Sequence, residues 1–221
     1  MFKAVSFDCY GTLIDWESGI TSFLAQTFRE KGIGASARDV LKAREDIEFE
    51  MIQARYRRYA EILRQSLREA FEQFRIPYSN RDGDRLVESV GTWPPFADTK
   101  PALEKLSGRY RLAIISNVDN DIIRKTKLGL GIKFHLSVTA QFARAYKPGI
   151  RPFQIALQRL KCRPEQVLHV SSGFRYDIPP AHELGFKTAW VNRKHEPKPA
   201  LVSPDFQFDS LMQLTESIDN L

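Results

Sequence analysis

Three features of the sequence predict an α/β protein: a Rossmann-like parallel sheet core with an inserted helical cap. A short apolar run over residues 3–7 reads as a buried strand delivering the polar loop Asp8-Cys9-Tyr10-Gly11-Thr12-Leu13. From about residue 16 to about residue 90 the chain is rich in helix formers and lacks convincing strands. Beyond that stretch, helices and continuous apolar strands alternate, the pattern of a parallel sheet covered on both faces. The core is therefore expected at 1–15 and 91–221 and the cap at 16–90.

The elements follow in order. Within the cap, Ile47, Met51, Ile62, Leu63, Leu67 and Phe71 recur at helical spacing. Turn residues at 76–83 interrupt it, and Trp93-Pro94-Pro95-Phe96 marks the return to the core. A helix over about 100–106 precedes a strand over 112–116, and one over about 121–128 precedes a weak strand over 136–139. A helix over about 151–160, with Pro152 in its first turn, leads to a strand over 167–170. After Asp177 a short helix through Glu183 is expected to end at Gly185, ahead of a strand over 188–191.

Composition narrows the function classes. With 221 residues and 43% hydrophobic content the chain has material for a sizeable core, and no repeat or low-complexity tract interrupts it. No apolar run approaches the roughly 20 residues of a membrane span, and Met1 leads straight into the first strand without a leader pattern, so a cytoplasmic location is expected. Cys9 and Cys162 are distant and lack metal-ligand spacing, and each reads as a buried small hydrophobe. A net charge of +6 is compatible with an anionic small substrate or with nucleic acid. The Arg/Tyr-rich segment from Arg55 to Arg68 has helical spacing and contains Glu61, so it reads as a solvated helix face rather than an RNA contact.

Ligands of parallel sheets bind outside the carboxyl ends of the strands. The polar residues expected there are Asp8 with Tyr10 and Thr12, Ser116 with Asn117 and Asp119, Lys147 in a loop, and Ser171, Ser172 and Asp177. A carboxylate, a lysine that keeps it ionised and small hydrogen-bond donors suit covalent catalysis by aspartate. His135, His169, His182 and His195 show no paired metal-ligand spacing; His169, just before the Ser171-Ser172 pair, reads as a buried, hydrogen-bonded core histidine, with a place lining the site from behind as the alternative. Trp16 stands where it would either wall a pocket or serve aromatic packing, Asp15 reads as a cap or turn residue, and Asp119 as a helix N-cap.

Taken together and in order, these residues resemble the four motifs of the haloacid dehalogenase superfamily. Phe7-Asp8-Cys9-Tyr10-Gly11-Thr12-Leu13-Ile14-Asp15 is similar to the first motif, Ile115-Ser116-Asn117 to the second, Tyr146-Lys147-Pro148 to the third, and Val170-Ser171-Ser172 with Asp177 to the fourth. The superfamily's phosphatases carry an acidic residue where Tyr10 stands and a Mg²⁺-binding acid where Ser172 stands. Both departures resemble the metal-independent L-2-haloacid dehalogenase branch. That resemblance implies no cofactor, a small anionic carboxylate substrate, no nucleic-acid or membrane partner, and a homodimer.

It further implies that Asp8 attacks carbon, Lys147 keeps Asp8 ionised, and Thr12, Ser171, Ser172 and Asp177 hold the nucleophile and the hydrolytic water. Ser116 and Asn117 are then expected to bind the substrate carboxylate and leaving group, beside Tyr10, the aromatic Phe153 and a cap arginine, for which Arg44 is the candidate ahead of Arg55 and Arg58. The chain departs from that branch at Gly173, where the branch has asparagine, at Phe153, where the branch has tyrosine, and by one extra residue before Asp177. The first motif through Glu17 and the Asp177-Ile178-Pro179-Pro180-Ala181 segment are also similar to azetidine-2-carboxylate hydrolase, which opens a ring by the same attack. The alternatives are a Mg²⁺-dependent phosphatase of small metabolites and, in a different class, a binding protein on a hydrolase fold.

Overall fold

The computed structural model describes residues 1–197, 199 and 202–220. Six parallel strands form the central sheet: β1 (Ala4–Phe7), β2 (Arg111–Ser116), β3 (Leu136–Thr139), β4 (Val167–Ser171), β5 (Lys187–Val191) and β6 (Phe206–Phe208). Their spatial order is β3-β2-β1-β4-β5-β6. The chain thus builds outward from β1 on one side and returns to build on the other, so the crevice where strand order reverses lies between the ends of β1 and β4. Asp8 follows β1 directly and Ser171-Ser172 close β4, which places both at that crevice.

Four helices, α1 (Trp16–Lys31), α2 (Ala37–Gln53), α3 (Tyr59–Gln73) and α4 (Asn80–Val90), fill the stretch between β1 and the rest of the sheet. Their ends are chemically specified. Asp15 caps α1 by accepting from the Ser18 amide, and Gly32 ends it at φ 65°. Ser79 and Asp82 form a capping box at the start of α4. At Gly19 an added Cβ would lie 2.3 Å from Trp93 Cγ, so the missing side chain is what lets Trp93 lie against α1 where the chain leaves the helical insertion.

Asp119 differs from its expected role. It stands at the N-cap position of α6 (Asn120–Leu130) without bonding that helix; its carboxylate instead accepts from the backbone amides of Tyr59 (3.2 Å) and Ala60 (3.0 Å). The residue before α3, Arg58, offers no side-chain cap of its own, so the core caps an insertion helix in trans. Asp119→Ala is expected to cost about 0.5–2 kcal/mol, the range for losing an N-cap. Chemical denaturation checks this, and protection of the Tyr59 and Ala60 amides from hydrogen exchange should fall with it.

The remaining helices are α5 (Thr99–Ser107), α7 (Ala140–Ala143), α8 (Arg151–Leu160), α9 (Phe174–Glu183) and α10 (Leu211–Ser217). The sequence places the helix before β5 after Asp177, but α9 begins at Phe174 and carries Asp177 in its first turn. Its prolines, Pro179 and Pro180, sit inside the helix, where they remove amide donors and suggest a later start than the structure shows. β6, α7 and α10 are additions to the expected pattern, each too short for periodicity to reveal.

One hydrophobic cluster runs from the sheet face bearing Val5, Phe7, Ile114 and Val170 into the helical insertion. The opposite face packs Ala4, Ala113 and Ile115 against Phe153, Ala156 and Phe186. The Arg/Tyr-rich segment is folded into internal contacts: Arg58 reaches Asp119 and Asp121, Arg64 binds Asp84 at 2.7 Å, and Arg68 lies over Tyr78. No described helix is long and apolar enough to cross a membrane.

Candidate active site

Asp8 lies at the floor of a cavity of about 790 Å³ between the sheet ends and the helical insertion. The nucleophile loop that carries it turns at Gly11, whose φ of 100° is a conformation that side chains disfavour. Thr12 then donates to Asp8 Oδ2 at 2.9 Å while its own oxygen accepts from the Ser172 amide at 2.8 Å. This ties the end of β1 to the end of β4. Arg193, just past β5, grips the same loop through the Thr12 carbonyl at 3.0 Å and is itself held by Asp98.

The other carboxylate oxygen, Asp8 Oδ1, accepts from Lys147 Nζ at 2.9 Å. Lys147 is 1% exposed, and its ammonium also donates to Asp177 Oδ1 at 2.6 Å and to the Ile115 carbonyl at 2.9 Å. All three of its protons are thereby placed. Asn117 fixes the lysine backbone at both polar groups, accepting from the Lys147 amide at 2.7 Å and donating to its carbonyl at 2.9 Å.

The electrostatics follow from one cation serving two buried carboxylates. Burial alone would lower the Lys147 ammonium, but the charges of Asp177 and Asp8 raise it above the ordinary lysine value. Burial pushes the Asp8 carboxyl up, and the pull of Lys147 only partly offsets that push and the repulsion of Asp177. For Asp177 burial also acts upward, yet Lys147 and the hydrogen bond from His169 outweigh it and hold the carboxyl below its ordinary value. Lys147 and His169 thus favour the ionised form of Asp177 more strongly than Lys147 favours that of Asp8.

The expected residues divide when their contacts are traced. Asp8, Tyr10, Ser116, Asn117, Lys147, Ser172, Asp177 and Arg44 line the cavity. Several have side chains committed elsewhere. The Tyr10 hydroxyl pairs with Thr126 Oγ1 at 2.7 Å, the Asn117 amide is engaged by Lys147, and the Ser172 hydroxyl turns to the Val191 carbonyl at 2.8 Å. Ser172 thus touches the nucleophile loop through its amide, not through the hydroxyl that the sequence suggested. Ser171 is buried, and its oxygen accepts from the Gly173 amide at 2.9 Å.

Phe153 does not wall the cavity. It lies in α8 on the opposite sheet face, fully buried against His169 and Phe186. Counting forward from Lys147 gives its position in the chain but not the direction its helix faces. Arg44 is at the wall but is not a free cation, because Glu48 binds it at 2.5 Å and Ser66 at 3.1 Å. Arg55 and Arg58 do not line the cavity.

Other residues emerge only in three dimensions. Trp16 is joined at the wall by Trp93, and Arg175 reaches the cavity from the start of α9, its guanidinium lying over the Phe49 ring. Arg175 and Lys42 line the cavity without a carboxylate partner among the described residues, whereas Arg44, Arg193 and Lys194 are each paired. The extra residue before Asp177 was the available sign that this turn differs.

A hard divalent cation would need a set of oxygen ligands here. In the fourth motif the Ser172 hydroxyl faces away, and Asp177 Oδ1 is already shared by Lys147 and His169. Among the described residues no group of three or more His, Cys, Asp or Glu is placed to hold a metal ion. Asp8 and the unpartnered Asp177 Oδ2 are the carboxylate oxygens the site offers, and the Lys147 ammonium already bridges the two residues, a poorer setting for Mg²⁺ than a set of acidic ligands.

A buried aspartate at the reversal point of a parallel sheet, held by a lysine and a threonine under a helical insertion, is the framework of a hydrolase that works through an aspartyl nucleophile. The chain belongs to the haloacid dehalogenase-like hydrolase family, which it matches over residues 2–185. It is 28% identical over 227 residues to (S)-2-haloacid dehalogenase 4A of Burkholderia cepacia, covering 99% of this chain and 93% of that protein. To haloacetate dehalogenase H-2 of Moraxella sp. (strain B) it is 28% identical over 197 residues, covering 86% of each. Its fold matches that of L-2-haloacid dehalogenase from Xanthobacter autotrophicus with a TM-score of 0.87 at 21% identity, covering 100% of each chain.

Proposed function

We propose that the protein is a metal-independent hydrolase that displaces a leaving group from the α carbon of a small carboxylic acid, with a 2-haloacid as its substrate. The observation that carries this reading is the Asp8 carboxylate, 8% exposed at the cavity floor and held at both oxygens by Thr12 and Lys147. The similarity to dehalogenases along almost the whole chain supports the choice of substrate.

In the first step one Asp8 oxygen attacks the α carbon; the carbon–halogen bond breaks, halide leaves with its electron pair, and an ester forms. Water then attacks the Asp8 carbonyl carbon, with Asp177 accepting its proton. The carbonyl–oxygen bond of the ester breaks, the proton passes to the departing oxygen, the 2-hydroxy acid leaves, and Asp8, retaining one solvent oxygen, gives up the second water proton to solvent to restore its carboxylate. Arg175 and Lys42, which line the cavity without a carboxylate partner among the described residues, are the cations available to the departing halide or to the substrate carboxylate.

A phosphatase mechanism finds less support. Phosphoryl transfer to an aspartate needs an acid beside it to protonate the leaving oxygen, and Tyr10 at that position is bound to Thr126 and pushed well above the ordinary phenol value by burial.

The decisive experiment is a single turnover of L-2-chloropropionate in H₂¹⁸O after EDTA treatment, followed by mass spectrometry of the Asp8 peptide. Label in Asp8 with chloride released is expected; phosphate release that requires Mg²⁺, with no label from the haloacid, would overturn the proposal. The pH dependence of ester formation provides a second check. Asp8 attacks only when ionised, and its raised carboxyl stays protonated over a wider acid range than an ordinary aspartate. The acid limb of the pre-steady-state halide burst is therefore expected above the ordinary value of 3.8. Because Lys147 is held above the ordinary lysine value, no loss is expected on the alkaline side before that value is reached.

A further inference from the structure

Behind the two carboxylates lies a buried polar pair that the mechanism above does not use. Ser6 in β1 and His169 in β4 are register partners across the parallel ladder, and both are 0% exposed. They interrupt the sheet face that packs Ala4, Ala113 and Ile115 against Phe153 and Phe186. The imidazole stands edge-on to both phenylalanine rings, with centroids 5.1 Å and 6.2 Å away. A buried polar pair in such a setting is costly unless fully bonded, and this one is bonded at every ring nitrogen. His169 Nδ1 meets Ser6 Oγ at 2.9 Å, and Nε2 meets Asp177 Oδ1 at 2.9 Å.

The direction of these bonds follows from the partners. Asp177 Oδ1 already accepts from the Lys147 ammonium, and its carboxyl is held below the ordinary value, so Nε2 is the donor in the bond to it. With Nε2 donating to Asp177, Nδ1 is left to accept from the Ser6 hydroxyl, so the two partners together orient the ring. Asp177 Oδ1 thereby receives both Lys147 and His169, while Oδ2 is buried without any partner. Next to that free oxygen is Gly173: a Cβ there would lie 3.4 Å from Asp177 Oδ2 and 3.6 Å from Ser171 Oγ. Glycine keeps carbon off that side of both oxygens.

We infer that His169, backed by Ser6, is a positioning residue for the water step: it anchors Asp177 through Oδ1 so that Oδ2 is presented, unshared, to the hydrolytic water beside Gly173. The inference rests on the covalent-ester reading for its kinetic consequence, but not for its structural one. It also accounts for Phe153. The neighbouring strand supplies the hydrogen-bond donor behind the site, and α8 contributes only an apolar ring. The titratable groups facing Asp177 are Lys147 from its loop, Asp8 from the end of β1 and His169 from β4, with Arg175 and Tyr176 earlier on its own helix.

The test uses His169→Phe, which suits the aromatic surroundings, with His169→Gln, which retains a donor near Nε2, and Ser6→Ala, which frees only Nδ1. Carboxyl-¹³C NMR of aspartate-labelled resting enzyme, with Asp177 assigned through Asp177→Asn, follows its titration without substrate. The Asp177 signal is expected to stay ionised to lower pH in the wild type than in His169→Phe, with His169→Gln restoring much of the difference and Ser6→Ala moving slightly in the direction of His169→Phe. In single turnovers of L-2-chloropropionate, the Asp8 ester is expected to decay roughly 10–100-fold more slowly in His169→Phe, the scale of one hydrogen bond to a charged group. Ester formation should change far less.

An unchanged Asp177 titration in His169→Phe overturns the inference, as does equal slowing of both chemical steps. If His169→Phe does not fold, Ser6→Ala decides, because it removes a single buried oxygen: an Asp177 titration and an ester decay that both match the wild type then overturn the inference. Wild-type enzyme that never forms an Asp8 ester would instead defeat the catalytic reading, leaving the NMR result to decide whether His169 holds Asp177.

Discussion

Asp8→Asn is expected to abolish the covalent ester and to lower turnover by at least about 10⁴-fold, the scale on which a covalent hydrolase loses rate with its nucleophile. The substitution changes chemistry more than shape. The introduced side chain keeps a carbonyl oxygen toward Lys147, and its amide can donate to the Thr12 oxygen, which already serves as an acceptor for the Ser172 amide. The tie between the ends of β1 and β4 therefore survives, and circular dichroism and melting should show a folded protein. What disappears is a carboxylate able to displace a leaving group. Mass spectrometry after single turnover should find neither ester nor ¹⁸O in the peptide spanning position 8. A variant that still releases halide at near wild-type rate would show that water attacks the substrate directly.

Much of this site was legible because its residues follow strands. Asp8, Ser116 and Ser172 stand at carboxyl ends whose apolar runs are plain in the sequence, and parallel topology brings such ends together. Lys147 was legible as a residue type in a loop, but its triple hydrogen bond depends on Asn117 gripping its backbone from another loop. Side-chain direction was less accessible. Whether the Ser172 hydroxyl faces Asp8 or Val191, and whether Phe153 faces the cavity or the sheet, is set by packing that no local spacing encodes. Arg44 illustrates the same limit, since its charge is matched by Glu48 one helical turn away. Arg193 escaped notice because it follows the last strong strand, where the motifs had ended. His169 was correctly read as a buried, hydrogen-bonded residue, but the identity of its partners required the β1–β4 register and the early start of α9.

Lys147→Met tests the electrostatic logic of the site more sharply than loss of the nucleophile does. The substitution keeps the approximate length of the buried side chain and removes the cation that joins Asp8 to Asp177. Two carboxylates then share a water-poor space, and like charges so placed do not both stay ionised. Asp8, whose carboxyl is already raised, takes the proton, while Asp177 retains the hydrogen bond from His169. At neutral pH the nucleophile is consequently neutral, and ester formation is expected to fall by at least about 100-fold, the consequence of losing an opposite charge that favours ionisation together with its orienting bond. Breaking a buried ion pair by deleting one partner should also cost about 3–5 kcal/mol of stability. The pH response distinguishes these effects. A carboxyl whose folded pKa lies above its unfolded value penalises folding at pH above the folded pKa, and the penalty is relieved as pH falls through that value. Lys147→Met should therefore melt higher as pH is lowered from neutrality while losing what activity remains, and should regain ester formation as pH is raised. Asp8→Asn has no such carboxyl to ionise and should show no alkaline recovery. If Lys147→Met instead retained full activity at neutral pH, Lys147 would be a structural bridge, and the ionisation of Asp8 would have to be sustained by Thr12 alone.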